Sequence, residues 1–330
     1  MRSLVTGGAG FIGSYLCEEL YNKGWGIRII DINDKAEHNP HFEYIFDDIL
    51  NYPILLRAMQ ETDWVIHLAA KHRFFGVSED DFYRVNVTGT ENILKALSEV
   101  GIGKIIFFSS VAVYGDQKAP TDEDTTPKPN TIYGITKLEA EKRILNWVSE
   151  KQGRSALIIR PTVVFGPGNK GNMYRLIRQI DKHLYFPIGK GDNIKSTAYI
   201  GNIIDATLFL INKGFNGVEV YNYADHPDMS FKEITNIIYR LLGRSSHKYF
   251  LPANILLSVL KPFEFLAKIS KRDFLVSTAI MKMNKTTYHR ANKIRRAGFQ
   301  QVCSVEEGLK HTVEWYKSNN RGKIAVTDHG

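Results

Sequence analysis

The chain has 330 residues, 43% hydrophobic and 24% charged, with 43 Lys and Arg against 35 Asp and Glu for a net charge of +8. That length suits a doubly wound domain carrying a second, smaller lobe, and the composition excludes disorder, collagen and coiled coil. The 2 cysteines, Cys17 and Cys303, stand alone with no pairable or metal-like spacing, which points to a reducing compartment.

Met1-Arg2-Ser3 leads straight into a strand and turn, so no leader is expected, and no run approaches the ~20 apolar residues of a bilayer span. Short β-branched runs follow at Ser3 to Thr6, Ile27 to Asp31, Glu43 to Phe46, Trp64 to Leu68, Lys104 to Ser109 and Ala156 to Arg160. Between them lie the amphipathic stretches Phe11 to Lys23, Pro53 to Gln60, Glu91 to Val100 and Tyr133 to Lys151. Strands alternating with helices predict a parallel sheet with crossover helices. After about Gly166 the texture changes to Gly-rich loops and one more strand-like run, Val218 to Ala224.

The first turn, Thr6-Gly7-Gly8-Ala9-Gly10-Phe11-Ile12-Gly13, joins a strand to a helix. Gly7 permits the tight turn, Gly10 lets a pyrophosphate approach the N–H groups at the helix start, and Gly13 permits close helix–strand contact. Asp31 ends the second strand about 20 residues on, where a carboxylate accepts from an adenosine ribose and repels a 2′-phosphate, favouring NAD over NADP. Asp48-Ile49 is a candidate adenine contact, and Leu68-Ala69-Ala70 supplies small residues beside the cofactor. The predicted fold is therefore α/β, a Rossmann-type doubly wound sheet over 1–166 to which segments near 195–224 return, with a smaller, mostly helical substrate lobe over 167–330.

Tyr133 and Lys137 stand at i and i+4, on one helix face and within mutual reach. A cation beside a phenol lowers its pKa and lets the phenolate act as a base. Ser109 and Ser110 close the fifth strand ahead of them.

With these motifs in order, the chain resembles the extended short-chain dehydrogenases/reductases of the sugar epimerase/dehydratase type. The resemblance rests on TGGAGFIG, Asp31, Asp48-Ile49, HLAA at 67 to 70, SSVAVYG at 109 to 115, YGITK at 133 to 137 and RPTVVFGP at 160 to 167, and covers nearly the whole length. It implies Tyr133 as base, Lys137 on the nicotinamide ribose, and Ser110 as the hydroxyl bonded to the reacting sugar oxygen. Gly7, Gly10, Phe11, Ile12, Gly13, Asp31, Asp48, Ile49, Leu68, Ala69, Ala70, Ser109, Pro161 and Val163 would complete the NAD site.

Three departures narrow the activity. The family's 4,6-dehydratases carry an Asp-Glu pair after the active-site hydroxyl, whereas Val111-Ala112 stands here and cannot shuttle protons, so dehydration is rejected. A bound NAD then favours 4-epimerisation, which needs no net reductant, over reduction of a keto sugar. Valine at 163 replaces the substrate-facing asparagine, and Lys195-Ser196-Thr197 replaces the usual Arg-Asp-Tyr, which puts nucleotide recognition in doubt because lysine lacks the bidentate fork.

Other segments, including NKGNMYRLIRQI and KSTAYIGNI, are most similar to family members acting on polyprenyl-diphosphate-linked N-acetylhexosamines, with Asn172 and Lys195 as candidate substrate contacts. Residues 231–330 hold 18 Lys and Arg against 7 Asp and Glu, a net +11. Together with the apolar, aromatic and basic stretch 251–275, this suggests peripheral attachment to the cytoplasmic side of a bacterial inner membrane. Packing of that stretch on the lobe's own core is the competing expectation. No nucleic-acid recognition motif and no metal-ligand cluster is present in the pattern, and a homodimer is implied by family analogy alone. A soluble UDP-sugar 4-epimerase or keto-sugar reductase is the alternative enzyme, and a non-catalytic NAD-binding regulator the alternative outside enzymes.

Overall fold

The computed structural model describes residues 1–34, 38–72, 77–117, 120–246, 250–252 and 285–324. In chain order its elements are β1 (Arg2–Thr6), α1 (Phe11–Asn22), β2 (Gly26–Asp31), β3 (Glu43–Phe46), α2 (Tyr52–Ala58), β4 (Trp64–His67), α3 (Glu79–Tyr83), α4 (Gly89–Val100), β5 (Lys104–Phe108), α5 (Ile132–Ser149), β6 (Ser155–Pro161) and β7 (Val163–Phe165). Then come α6 (Asn172–Asp181), β8 (Thr197–Tyr199), α7 (Ile200–Lys213), β9 (Gly217–Tyr223), α8 (Phe231–Leu242), α9 (Asn292–Arg296) and α10 (Val305–Ile324).

The chain forms two compact units. The first comprises Met1–Val164, Ile200–Ala224 and His289–Val302, and the second Phe165–Tyr199, Asp225–Tyr288 and Cys303–Gly330. This division moves the expected boundary from 166 to 164 and starts the return at Ile200 rather than near 195. It also adds a third segment, His289–Val302, which the sequence reading had assigned to the lobe. The reason is the pairing of that segment with the first unit. Arg290 N–H donates to Thr121 O at 2.7 Å, and Lys293 Nζ donates to Val220 O at 2.7 Å. Neither contact has a signature in strand or helix periodicity.

Within the first unit a seven-stranded sheet runs β3-β2-β1-β4-β5-β6-β9, and every neighbouring pair is parallel. Strands covered on both faces read as continuous apolar runs rather than alternations, and β4 and β6 are buried at every position. Leu4, Val65, Ile105, Phe107 and Ile158 pack with Ile93, Leu97 and Ile144 into one core. The strand order reverses between β2-β1 and β4, so a crevice opens at the carboxyl ends of β1 and β4, where doubly wound sheets bind ligands. Everything assigned to the cofactor by sequence lies in this unit.

Two short pieces escaped the sequence reading. The acidic first turn of α3 is closed by a capping box between Ser78 and Asp81, and a π-helical turn, Arg84–Thr88, follows it into α4. Such turns arise where one residue is inserted into a helix, commonly near functional sites. The second unit packs α6, α8 and α10 through Ile177, Ile180, Ile234, Ile238, Leu309 and Val313.

Ile158, fully buried in β6, tests the sheet core. Ile158→Ala should cost about 3 kcal/mol, read as a lower urea midpoint with an unchanged slope.

Candidate active site

The glycine turn is shaped by backbone touching backbone. Gly7 adopts φ 71°, and a Cβ there would lie 2.7 Å from Ala69 N and 2.8 Å from Ala69 Cα. A Cβ at Gly13 would lie 2.5 Å from Gly7 O and 2.6 Å from Gly8 Cα. No side chain fits at either place, so the turn after β1, the start of α1 and the loop after β4 meet directly. Gly10 is the N-cap of α1 with no side-chain cap, and the first helical turn carries no acidic residue. The positive end of the helix therefore faces the crevice without a protein anion, the arrangement that suits a pyrophosphate. Phe11 and Ile12 begin that helix, half-buried.

Asp31 does more than end β2. One carboxylate oxygen accepts the Ala9 N–H at 3.0 Å and the other the Asn33 N–H at 3.0 Å, so it holds the glycine turn while keeping further acceptor sites for a ribose. Asp48 accepts the Leu50 N–H at 3.0 Å. The Ile49 side chain is 4% exposed and presses on Gly89, while its carbonyl takes the Asn92 amide at 3.2 Å. The glycine at 89 lets α4 settle onto that side chain. Leu68, Ala69 and Ala70 are half-buried, with Leu68 N–H donating to Thr6 O at 3.0 Å.

At the ends of β5 and β6 the chemistry-bearing groups gather. Ser109 is 3% exposed, and its N–H donates to Ile159 O at 2.7 Å. Among the described residues its Oγ has no hydrogen-bond partner, and neither has the buried Thr162 Oγ1. Pro161 is buried at the end of β6, whereas Val163 is 50% exposed. Ser110 caps a short 3₁₀ turn, Val111–Tyr114, by accepting the Ala112 N–H at 3.1 Å. Thr131 caps α5 by accepting the Gly134 N–H, which places Tyr133 in the first turn and Lys137 one turn further.

Burial pushes the Tyr133 phenol up, and the Ser110 hydroxyl opposes it. In the cofactor-free protein the phenol is therefore raised, without the charge that a nicotinamide ring would add. The lysine meant to lower it is itself weakened, since burial brings Lys137 down to about 7 against the upward pull of Glu141. Its ammonium lies 4.1 Å from the centroid of the Phe107 ring. Burial also holds His67 well below its ordinary value, with Lys137 adding to the effect, so the imidazole is neutral. It bridges Thr6 Oγ1 at 2.8 Å and Thr90 Oγ1 at 3.0 Å.

Sequence reasoning missed Asn86. Its Oδ1 accepts the Lys71 N–H at 2.7 Å, while its Nδ2 donates to Lys71 O at 3.1 Å and to Thr136 Oγ1 at 3.0 Å. It thus ties the loop after β4 to the helix that carries Tyr133 and Lys137. An Asn-Val-Thr-Gly-Thr run ahead of a helix was the available signal.

Asn172 and Lys195 belong to the second unit. Asn172 is exposed at the start of α6. The Lys195 ammonium donates to the carbonyl of Lys285, and burial with the Lys285 charge lowers it to about 8. Among the described residues no group of His, Cys, Asp and Glu is arranged to hold a metal ion.

A glycine cradle, a carboxylate at the end of β2 and, among the described residues, two buried hydroxyls without partners fit a dinucleotide, and Ser110 and Tyr133 with a buried lysine one helical turn on fit hydride chemistry at a carbinol. Fold and site together define a dinucleotide-dependent enzyme of the short-chain dehydrogenase type. Residues 3–224 match the model of the NAD dependent epimerase/dehydratase family, and the chain belongs to that family. It is 34% identical over 314 residues to the N-acetyl-alpha-D-glucosaminyl-diphospho-ditrans,octacis-undecaprenol 4-epimerase of Escherichia coli O157:H7, covering 94% of each chain. It is 26% identical to the UDP-glucose 4-epimerase of Vibrio cholerae, covering 96% of each. Among solved structures it is similar to UDP-glucuronic acid 4-epimerase from Bacillus cereus in complex with NAD, at 26% identity and TM-score 0.77, covering 97% of this chain and 99% of that one.

The depressed Lys137 gives a test of the site's electrostatics. Its buried ammonium destabilises the cofactor-free fold below pH about 7, and the penalty disappears as pH rises towards the unfolded value of 10.5. Lys137→Met should therefore raise the melting temperature of the cofactor-free protein, by more at pH 6 than at pH 10. An equal gain at both would show that Lys137 ionises as an exposed lysine does.

Proposed function

We propose that the protein is an NAD-dependent sugar 4-epimerase that interconverts N-acetylglucosaminyl- and N-acetylgalactosaminyl-diphospho-undecaprenol in surface polysaccharide (O-antigen type) biosynthesis. The observation that carries the enzymatic reading is Tyr133 in the first turn of α5 with Lys137 buried one helical turn on, at the carboxyl edge of a sheet that carries a glycine turn. A module that only binds dinucleotide needs no such phenol.

The cofactor is NAD, as family membership implies, and when bound it supplies a reversible hydride acceptor. Gly7, Gly10 and Gly13 would admit its pyrophosphate and Asp31 its ribose. Tyr133 takes the proton from the sugar's C4 hydroxyl and later returns it, while Ser110 orients that oxygen. Lys137, when protonated, favours the phenolate and bonds the nicotinamide ribose. Oxidation and re-reduction at one carbon leave no net change in reductant. Val111 and Ala112 follow Ser110 in the 3₁₀ turn and offer no acid or base, which supports epimerisation over dehydration.

The lipid-linked substrate is supported by the Escherichia coli relative and by the 18 Lys and Arg against 7 Asp and Glu in residues 231–330, a charge suited to an anionic membrane surface. Of the stretch 251–275 assigned to the interface, only Leu251 and Pro252 lie among the described residues, and both are exposed. Among the described residues no helix is long and apolar enough to cross a membrane. The attachment we propose is peripheral, through cations on anionic headgroups. Asn172 and Lys195 would contact the sugar diphosphate, with lysine acting as a point charge. The Vibrio and Bacillus relatives are named for UDP-sugars, which favours a nucleotide-linked substrate as the second reading.

Two assays separate these. Protein given N-acetylglucosaminyl-diphospho-undecaprenol or UDP-N-acetylglucosamine, with no added reductant, should convert the first and not the second. Conversion of the nucleotide sugar alone would assign the second reading. Tyr133→Phe should retain NAD yet lose turnover by roughly 10²–10⁴-fold, because only the proton-transfer group is removed. NAD loss in that variant would contradict its role.

A further inference from the structure

Helix α5 carries one more charged group in line with the pair described above. Glu141 stands one turn after Lys137, as Lys137 stands one turn after Tyr133, and it is 1% exposed. Its carboxylate is gripped bidentately along one edge of the Arg160 guanidinium, Nε to Oε1 at 2.9 Å and Nη2 to Oε2 at 2.6 Å. Arg160, 6% exposed on β6, spends its remaining edge on the Tyr114 hydroxyl at 2.8 Å, and that hydroxyl donates to Asn222 Oδ1 at 2.8 Å. The Asn222 N–H donates in turn to Glu123 Oε1 at 2.9 Å. Four parts of the first unit are thus joined: α5, β6, the turn that begins at Ser110, and β9.

A buried ion pair of this kind is poorly explained by stability. Removing two charges from water costs several kcal/mol per ion, and well-packed apolar side chains of the same volume do as well or better. What the pair offers here is a carboxylate held in one orientation, one helical turn from Lys137. The groups that act on that ammonium are few. The Phe107 ring from β5 lies under it, His67 from β4 is neutral, and Tyr133 on the same helix is a phenol raised by burial. Glu141 is the acid that acts on it. Beyond Glu141 lie Arg160, Tyr114 and Glu123, the last set off by the Asn222 main chain.

We propose that Glu141, locked in place by Arg160, is a positioning residue that holds Lys137 in its ammonium form beside Tyr133. The proposal rests on the reading of Tyr133 as the base and Lys137 as its cation. Burial favours the neutral amine, and the carboxylate one turn away opposes this. The bidentate grip fixes the carboxylate against rotation, so the field at Lys137 comes from one geometry.

The test is a ¹³C NMR titration of the Lys137 side chain in the cofactor-free protein, with the signal assigned by its absence in Lys137→Met. Wild type should titrate near about 7. Glu141→Gln should move the midpoint down by about one pH unit, a tenfold loss of proton affinity. Because that variant strands Arg160 as a lone buried charge, the double variant E141L/R160M, apolar and of similar volume, serves as the folded control. It should regain the melting temperature while keeping the lowered midpoint. With the lipid-linked sugar diphosphate as substrate, the acid limb of the double variant's kcat/KM profile should move up, with KM little changed.

A double variant that titrates as wild type overturns the proposal and leaves the ion pair a structural strut. An unshifted midpoint in a folded E141Q does the same. Tyr133→Phe keeps the two readings apart: full turnover there would sink the assignment of the base, whatever the titration shows.

Discussion

Contact between backbones at the carboxyl end of β1 is the constraint on which the dinucleotide site depends. Gly7 lies against the main chain of Ala69, and Gly13 against that of Gly7 and Gly8, with no room for a side chain at either. This closeness lets α1 begin directly over the sheet and aim its uncapped N-terminus at the crevice between β1 and β4. Asp31 then reaches across to the Ala9 N–H, so the residue that would bind the ribose also braces the turn that would bind the phosphates. A single methyl group at Gly7 would push apart two strands' worth of connections, which no change in surface charge could do.

Around that frame Tyr133 and Lys137 are set by burial rather than by a single strong pair. Desolvation raises the tyrosine and lowers the lysine, each towards its neutral form. The structure answers with the Ser110 hydroxyl, one aromatic face at Phe107 and one carboxylate at Glu141. In a low-dielectric site each of these acts more strongly than it would in water. The dinucleotide cation that family membership implies would join them as a further positive charge next to the phenol.

The fold was largely legible because its elements are locally encoded. Apolar runs of four to seven residues separated by amphipathic helices read as a parallel sheet, and strand assignments at Glu43–Phe46 and Lys104–Phe108 differ from the sequence reading by at most a residue. The site was legible where chemistry needs a residue type at a fixed spacing, as in the glycine turn or Tyr133 and Lys137. It was not legible where side chains from distant segments meet. Asn86 reaches Thr136 across 50 positions, and Tyr114 meets Asn222 across 108. The Ile49 side chain packs into the core where Gly89 leaves room for it, a contact between segments 40 positions apart.

The sequence by itself determined the class of sheet, the order of its motifs and the spacing of Tyr133 and Lys137, since periodicity and glycine placement act over a few residues. Only the tertiary structure decided the division into two units, the return of His289–Val302 to the first of them, and the burial of Lys137. The physical reason is common to all three. Burial and long-range hydrogen bonds depend on what the rest of the chain brings alongside a residue, and no local pattern of amino acids carries that information.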